Sequence, residues 1–340
     1  MEYIQLGNSE LQVSRICLGC MGFGVASENS GEAVAGSHSW TLNEEASRKI
    51  IKHALDVGIN FFDTAAIYQE GSSEQFIGKA LNDYAKREDI VVATKFMPRT
   101  DDEKNMGLNG RDFVLKRINE SLDNLQMDYI DLYIMHMWDN ETPFEEIMDG
   151  LNGAHQLGKI RYIGMSNCYA YQLVKINEYS KRMGYPQIIS MQNHYNLLYR
   201  EDEREINRYC HEENIALTPY SSLASGRLSK RPGEISQRLK EDYYAKSKYD
   251  GSMNIDQEII NRVIDLADKY HVEMTQISLA WLLTKVSAPI VGATKLYHID
   301  GAIKALNVNL TQDDIDYLEE LYVPHQIVGT MLMIKDKTVS

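Results

Sequence analysis

The sequence is poor in cysteine and has no long apolar run, and both absences exclude classes of protein. Its 340 residues include only four cysteines, whereas a small secreted scaffold stapled by disulfides is dense in them. We therefore expect a reducing compartment and a cytoplasmic location. No uninterrupted apolar stretch is long enough to span a bilayer. Residues 1–10 lack the basic region and apolar core of a signal peptide, so we expect none.

Positive charge is also scarce. Lysine and arginine number 35 against 49 aspartates and glutamates, which gives a formal net charge of −14. Non-specific binding to nucleic acid or to an anionic membrane needs basic surface, so we expect neither partner. The apolar share of 44% is ordinary for a globular protein. The length suits one large α/β barrel or two ordinary domains.

Several motifs of common enzyme classes are missing. Gly19-x-x-Gly22-x-Gly24 differs from the dinucleotide fingerprint G-x-G-x-x-G, and no amphipathic helix follows it. There is no G-x-S-x-G elbow, and no H-x-H ends a predicted strand. Cys17 and Cys20 form a C-x-x-C that could be a redox pair or half of a zinc site, but no second pair accompanies it. We favour the alternative, two small residues near the end of a strand.

What is present is an alternation of strands and helices. After a predicted hairpin of residues 3–6 and 11–16, short apolar runs recur near residues 16, 60, 92, 132, 162, 190, 217 and 290. Helical periodicity follows each run, with Asn43 predicted to cap the first helix and Ser72 or Ser73 the second. Eight such units predict an α/β fold, a (β/α)8 TIM barrel with an N-terminal β-hairpin and two extra helices. A doubly wound sheet is the alternative, but it would normally bring a phosphate-binding glycine turn.

Three segments interrupt this rhythm. The glycine-dotted stretch that runs on to about residue 40, with Gly31 and Gly36, is predicted to be a surface insertion. The polar stretch from residue 223 to 254 and the tail from 322 to 340 show no clear element. We expect residues 1–340 to form a single domain, with the tail over the substrate cleft.

Polar groups follow the predicted strands at successive positions. At the carboxyl ends of the predicted strands stand Asp63 and then Tyr68, Lys95, His136, Ser166-Asn167, Gln192, Tyr220-Ser221-Ser222 and Gly292-Ala293-Thr294-Lys295. In a barrel, catalytic groups lie at the carboxyl ends of the strands. Each group alone has an ordinary structural explanation, such as a helix cap or a core histidine. Coincidence of four of them, Asp63, Tyr68, Lys95 and His136, after successive strands is far less expected.

A phenol, an ammonium, a carboxylate and an imidazole can together protonate an oxygen. A free tyrosine has a pKa of about 10, and a neighbouring Lys95 would lower the pKa of Tyr68. Asp63 would hold Lys95, and His136 would bind the substrate oxygen or assist Tyr68. This set suits a carbonyl oxygen that becomes an alkoxide. It supplies no electrons, so a hydride-carrying cofactor is implied.

The motifs that carry these residues resemble the aldo-keto reductase family over nearly the whole chain. They are Gly58-Ile-Asn-Phe-Phe-Asp-Thr-Ala-x-x-Tyr68, Val92-Ala-Thr-Lys95, Asp131-Leu-Tyr-x-x-His136, Ile163-Gly-x-Ser-Asn167, Gln192-x-x-Tyr-Asn196, Pro219-Tyr-Ser-x-Leu-Ala-x-Gly226 and Val291-Gly-Ala-Thr-Lys295. The resemblance implies a catalytic tetrad in which Tyr68 is the general acid and Asp63, Lys95 and His136 support it.

The same resemblance implies a nicotinamide dinucleotide site. Its predicted residues are Gly19, Cys20 and Met21 beside the nicotinamide; Ser166, Asn167 and Gln192 on the carboxamide; Tyr220 stacked on the ring; Ser221, Leu223, Ser225, Gly226 and Arg227 around the pyrophosphate; and Gly292, Ala293, Thr294, Lys295 and His298 at the adenosine phosphate. Many members have Arg at the position of His298 and Glu-Asn at Gly301-Ala302. Lys295 remains a cation, so we expect NADPH, with NADH as the alternative.

The substrate cannot be read in the same way. Trp40, Met97, Trp138 and Tyr169, with the tail from 323 to 333, suggest a cleft lined by apolar and aromatic groups. We expect a small-molecule carbonyl substrate, an aldehyde or ketone reduced to an alcohol. The alternative is a cofactor-binding sensor of the same fold with little turnover, although a pure binding protein would not need all four tetrad residues.

Overall fold

Eight parallel strands form the centre of the molecule, and an antiparallel hairpin precedes them. The computed structural model describes residues 1–26, 38–231, 233–234 and 241–334, so Gly31, Gly36 and most of the predicted insertion lie outside the described residues. The strands are β1 (Tyr3–Gln5), β2 (Gln12–Ser14), β3 (Cys17–Gly19), β4 (Phe61–Asp63), β5 (Val91–Phe96), β6 (Ile130–Met135), β7 (Ile160–Ser166), β8 (Ile188–Gln192), β9 (Ala216–Leu217) and β10 (Ile290–Gly292).

The parallel strands close into a barrel, as predicted. Their order is β10-β3-β4-β5-β6-β7-β8-β9, so each strand lies beside its neighbour in the chain. The ring is completed between its first and last members, because the N–H of Ser287 donates to Leu217 and that of Ile290 donates to Pro219, both at 3.0 Å. All eight carboxyl ends therefore meet at one rim.

Helices surround the barrel. Those of the described residues are α1 (Glu44–Asp56), α2 (Ser72–Tyr84), α3 (Asp101–Asn105), α4 (Gly110–Leu125), α5 (Phe144–Gln156), α6 (Ala170–Met183), α7 (Ile206–Glu212), α8 (Tyr243–Tyr249), α9 (Met253–Tyr270), α10 (Met274–Leu283), α11 (Leu296–Lys304) and α12 (Gln312–Glu319). Asn43 caps α1 as predicted, since its side chain accepts from the N–H of Ala46. The short α3 and α8 were not predicted.

The predicted serine cap of α2 is wrong. The helix already includes Ser72, and the residue before it is Gly71 in a left-handed conformation with a φ of 86°. This turn directs both serines inward, so that the Ser72 hydroxyl donates to the carbonyl of Gln69 at 2.7 Å and the Ser73 hydroxyl donates to that of Cys20 at 2.9 Å. The serines thus tie α2 to the rim of the barrel.

The hairpin closes the opposite end of the barrel. Leu6, Leu11 and Val13 are buried with Phe61 and Leu132 of the barrel interior. Gly7, at the turn, has a φ of 53° and lies so close to the strands that a Cβ there would collide with the carbonyl oxygen of Ile189. In the described part of the chain, apolar side chains thus fill this end of the barrel, and the polar groups after the strands lie at the other end.

The two cysteines of the C-x-x-C lie in the packed core. Cys17 and Cys20 are both buried and neither is oxidised. Burial raises the thiol pKa of both well above its usual value, with the charge of Asp63 adding to the effect. A thiolate is therefore disfavoured at this position. Among the described residues, no helix combines the length and apolarity needed to cross a bilayer.

The tail is fastened to the barrel by a histidine. The His325 Nε2 lies 2.8 Å from Asp256 Oδ1, and the backbone N–H of His325 donates to Glu201 Oε1 at 2.8 Å. The imidazole stacks on the ring of Tyr322 with 5.3 Å between centroids and meets Tyr199 edge-on. The side chains of His325 and Asp256 are 7% and 0% exposed, so this is a buried pair.

Replacing His325 with asparagine should destabilise the protein most at low pH. The bond to Asp256, stronger than the opposing effect of burial, raises the pKa of His325 above 6.5. Its stabilisation is thus complete below pH 6.5 and declines as the pH rises through the folded-state pKa. We expect a loss of about 3 kcal/mol in the free energy of unfolding at pH 6 and about 1 kcal/mol at pH 9.

Urea unfolding at both pH values measures this difference. The matched control is His53→Asn, because His53 pairs with Asp300 at 2.7 Å but the two side chains are 26% and 45% exposed. An exposed pair should contribute less than about 1 kcal/mol. A loss at His325 that is equal at pH 6 and pH 9 would contradict the ionic role.

Candidate active site

Four ionisable side chains converge at the carboxyl rim. Asp63 is the last residue of β4, Lys95 lies within β5, and His136 follows β6 directly. Tyr68 begins the 3-10 turn Tyr68–Gly71 after β4. The Lys95 Nζ donates to Asp63 Oδ1 at 2.7 Å and lies 3.3 Å from the Tyr68 hydroxyl. The Tyr68 and His136 rings meet edge to face, 5.8 Å apart.

Backbone bonds fix the loop that presents Tyr68. Lys95 uses a further proton on the carbonyl of Thr64, at 2.6 Å. The N–H of Ala66 donates to the carbonyl of Lys95 at 3.0 Å, and the N–H of Tyr68 donates to that of Ala65 at 3.0 Å. The position of the phenol is therefore set by β5 as well as by its own strand.

Asp63 has both carboxylate oxygens occupied. Oδ1 accepts from Lys95, and Oδ2 accepts from the side-chain amide of Gln192 at 2.8 Å. Burial raises the pKa of Asp63, and Lys95 and Gln192 oppose that rise. Burial lowers the pKa of Lys95, but the charge and hydrogen bond of Asp63, helped by the contact with the Tyr68 hydroxyl, outweigh that effect and leave the pKa above the usual value. Lys95 is therefore a cation at neutral pH.

The net shift of the Tyr68 pKa is opposite to the one expected. Burial raises this pKa above 10.0, and the attraction of Lys95 only partly cancels the rise. The sequence shows the neighbouring ammonium but not the desolvation, which is the larger effect. A raised pKa keeps the phenol protonated at neutral pH, which is the state that a proton donor needs.

His136 is a neutral imidazole here. Burial, followed by the positive charge of Lys95, lowers its pKa to about 3. Its Nδ1 is buried without a hydrogen-bond partner among the described residues. A neutral ring can offer one N–H to a substrate oxygen, but it cannot act as a strong acid.

The predicted carboxamide residues lie together beside the tetrad. The Asn167 amide donates to the carbonyl of His136 at 2.9 Å and to Ser166 Oγ at 2.8 Å, while Asn167 Oδ1 accepts from the Tyr220 hydroxyl at 2.8 Å. Ser166 Oγ in turn donates to the carbonyl of Gln192. Asn167 has a φ of 47°, an uncommon conformation that often marks functional positions.

The residues predicted to lie beside the nicotinamide are on the other side of the tetrad. The N–H of Cys20 donates to the carbonyl of Asp63 at 2.8 Å, and Gly19 pairs with Asp63 in the sheet. Met21 follows directly in the chain.

The predicted pyrophosphate run has an unusual backbone. Ser221, Ala224 and Ser225 have φ values of 58°, 47° and 54°, and Leu223 and Gly226 belong to the same turn. Left-handed residues other than glycine cost free energy and concentrate where a loop binds a ligand. Arg227 follows, with Nη2 bound to Asp250 Oδ1 at 2.5 Å. Its Nη1 is buried without a hydrogen-bond partner among the described residues.

Three basic groups gather at the predicted adenosine end. After β10 and Ala293, the N–H of Thr294 donates to His298 Nδ1 at 3.3 Å. Burial lowers the pKa of His298, and the charges of Lys230 and Lys295 lower it further. Neither lysine forms an ion pair within the described part of the chain. Lys230 was not predicted for this site, although it ends the Gly226-x-x-x-Lys230 stretch. An unpaired basic cluster of this kind suits a phosphate.

The aromatic residues among those predicted for the substrate each stack on another ring. Trp138 donates its backbone N–H to the carbonyl of Asn167 at 3.1 Å, but its ring stacks on Phe144 of α5 at 6.2 Å. The remaining three are Trp40, stacked on His38 at 4.8 Å, Tyr169, stacked on Tyr171 at 6.2 Å, and the half-buried Met97.

Two further side chains near the site were missed. Tyr244 and Lys248 lie one turn apart on α8, inside the polar stretch that showed no element. The Tyr244 hydroxyl bonds with Thr330 of the tail at 2.8 Å, and Lys248 Nζ donates to Ser221 Oγ at 2.7 Å. Two features of the sequence could have predicted this helix and the shared face of the two side chains. Asp242 is a good helix cap, and Tyr244 and Lys248 behind it have i, i+4 spacing.

Comparison with known proteins points in one direction. A model described as "Aldo/keto reductase family" matches residues 15–323. Versiconal hemiacetal acetate reductase of Aspergillus parasiticus is 39% identical, over 96% of this chain and 98% of its own length. Putative aryl-alcohol dehydrogenase AAD16 of Saccharomyces cerevisiae is 36% identical, over 96% and 98%. The crystal structure of the thermostable aldo-keto reductase Tm1743 with the inhibitor epalrestat has a TM-score of 0.72 at 27% identity, covering 94% of this chain and 100% of that one.

Replacing Lys95 with methionine should destabilise the protein strongly. Lys95 is 0% exposed and its partner Asp63 is 4% exposed, so the substitution leaves a carboxylate buried without its counter-ion. We expect a loss of about 3 to 5 kcal/mol in the free energy of unfolding. The double variant Asp63→Asn/Lys95→Met removes both charges and should recover much of that loss, as measured by urea unfolding.

The control for this pair is Lys52→Met. Lys52 bonds Asp56 at 2.8 Å, but both side chains are more than half exposed, and the change should cost less than about 1 kcal/mol. If the double variant were as unstable as Lys95→Met alone, the uncompensated carboxylate would not be the cause.

Proposed function

This chain belongs to the aldo/keto reductase family, whose members are NAD(P)H-dependent oxidoreductases, and we propose that it reduces aldehydes or ketones with NADPH, using Tyr68 as the general acid. The observation that carries the proposal is the buried Lys95 Nζ, which contacts both Asp63 and the Tyr68 hydroxyl. We propose the cytoplasm as its location, and four unpaired thiols suit that compartment.

The residues present fit a nicotinamide dinucleotide. Arg227 Nη1 is a buried donor and His136 Nδ1 is a buried ring nitrogen, and neither has a hydrogen-bond partner among the described residues. Gly292 is exposed at the rim, and a Cβ there would meet just one atom within 4 Å among the described residues, the carbonyl oxygen of Gly19 at 3.9 Å, which leaves room beside its backbone. Ser166, Asn167 and Tyr220 would hold the nicotinamide end and the residues after β10 the adenosine end. When bound, the reduced nicotinamide supplies the hydride.

Four residues of this chain would hold the proton and control its donation. The raised pKa of Tyr68 keeps its proton in place until a carbonyl oxygen gains negative charge in front of it. Lys95 then favours the phenolate that remains. Asp63 holds Lys95 at hydrogen-bond distance, and the neutral His136 offers an N–H to the substrate oxygen. The hydroxyl, ammonium and imidazole thus stabilise the charge that develops on the oxygen.

NADPH is favoured over NADH by charge at the adenosine end. Lys230 and Lys295 both act electrostatically on His298, which supports a proposal that the two lysines bind the adenosine 2′-phosphate. In many relatives an arginine would contact this phosphate. Here Lys230, on the opposite loop, would make that contact. NADH lacks the phosphate and would gain nothing from these charges.

Tyr68→Phe should abolish most reduction without loss of cofactor binding. A missing general acid costs about 10²- to 10⁴-fold in rate. We expect a fall of that size in kcat/KM for a panel of aldehydes, α-dicarbonyls and aryl aldehydes, the last chosen because AAD16 is named an aryl-alcohol dehydrogenase. NADPH oxidation at 340 nm measures turnover, and NADPH fluorescence measures binding.

The control for this variant is Tyr84→Phe, which alters a tyrosine that is 40% exposed at the end of α2. Wild-type turnover in Tyr68→Phe would refute the general-acid assignment. Tight NADPH binding by the wild type, with no turnover across the panel, would favour the sensor instead.

Lys295→Met should weaken NADPH binding and leave NADH binding unchanged. Loss of one charge-assisted contact corresponds to about tenfold in Kd. The matched control is Lys304→Met, since Lys304 is exposed at the other end of α11. Titration of both variants with NADPH and NADH measures the preference, and equal loss for the two cofactors would contradict a 2′-phosphate contact.

A further inference from the structure

A buried lysine outside the tetrad faces the loop that follows β9. Lys248 of α8 is 6% exposed, and its Nζ donates to Ser221 Oγ at 2.7 Å. The ammonium lies 5.4, 4.9 and 5.3 Å from the ring centres of Tyr220, Tyr244 and Tyr249. The charged end of this buried side chain is therefore directed at Ser221, which belongs to the loop of the predicted pyrophosphate residues.

The local structure holds this lysine in place. Asp242 caps α8 by accepting from the N–H of Ala245 at 2.8 Å. In the tail, Gly329 has a φ of 70° and packs so closely that a Cβ there would lie 3.1 Å from Lys248 Cδ and 2.9 Å from the Tyr244 hydroxyl. The alkyl stem of Lys248 is therefore enclosed by its helix and the tail, and its charged end reaches the loop.

The loop it reaches carries a strained backbone. Ser221 itself has a φ of 58°, and Ala224 and Ser225 repeat the left-handed conformation within the next four residues. Such strain is retained where a site needs that shape. In the same region, Arg227 has one nitrogen committed to Asp250, so part of its charge is already neutralised.

We propose that Lys248 binds the pyrophosphate of the dinucleotide together with Ser221. This inference rests on the proposed function, and it adds a cation that the motifs of the chain do not assign. It also gives α8 and the tail a role, because the lysine reaches Ser221 only while both segments are packed around its stem. The negative charge of the ligand then helps to hold these two segments on the rim.

Lys248→Met tests the proposal, because methionine keeps the apolar stem and removes the charge. We expect the Kd for NADPH, measured by fluorescence titration, to rise about tenfold, and its dependence on salt to weaken. Competition by adenosine 2′-monophosphate, which has no pyrophosphate, should be unchanged. Lys248→Arg should bind NADPH within about threefold of the wild type, since the charge is kept.

The control variant is Lys246→Met, which removes the same charge from the same helix at a residue beside the exposed Tyr243. Circular dichroism and thermal unfolding show whether each variant folds. Wild-type affinity for NADPH in folded Lys248→Met overturns the proposal. Equal losses in Lys248→Met and Lys248→Arg, or an equal loss for adenosine 2′-monophosphate, overturn it as well, because they indicate a role in packing. If the wild type itself bound neither NADPH nor NADH, the proposed function would fail first.

Discussion

The arrangement of the rim depends on one buried ion pair. Lys95 and Asp63 come from neighbouring strands and are both withdrawn from water, and their contact at 2.7 Å joins β4 to β5 where the strands end. Two buried charges are costly unless each is fully bonded. The remaining bonds of the pair therefore have to be supplied by the carbonyl of Thr64, the phenol of Tyr68 and the amide of Gln192. Satisfying the pair thus positions the Tyr68 phenol as well.

The same burial sets the ionisation of the site. Desolvation acts in opposite directions on an acid and a base, so it raises the pKa of Tyr68 and lowers that of His136. Together with Lys95 this gives a protonated phenol, a neutral imidazole and an ammonium within a few ångströms. A set of this kind carries a proton and little net charge, and it can receive the charge that develops on a carbonyl oxygen.

The tail and α8 are held in place by bonds to residues that are distant in the chain. The tail is fastened by His325 to α9 and by Thr330 to α8, and α8 in turn presents Lys248 to the loop after β9. These contacts join residues that are between 27 and 86 positions apart in the chain. The placement of the tail and α8 is therefore a product of tertiary packing.

Much of the fold could be predicted from the sequence, because its signals are local. Helical periodicity, the Asn43 cap and eight short apolar runs are properties of neighbouring residues, and the alternation of the two elements requires a parallel sheet. The same reasoning predicted that Asp63, Tyr68, Lys95 and His136 would meet, since parallel strands all end at one rim. What stayed hidden was local structure without a strong pattern, as at α8, or with a misleading one, as at the two serines that lie inside α2 instead of capping it.

The sequence by itself thus determined the barrel and the identity of the groups at its rim. Only the tertiary structure decided how those groups are ionised, which partners they take and what covers them. The net pKa shift of Tyr68, the bond from Gln192 to Asp63, the basic cluster completed by Lys230 and the burial of Lys248 all depend on water being excluded by residues far away in the chain. Desolvation and long-range contacts are set by packing in three dimensions, and no spacing along the chain encodes them.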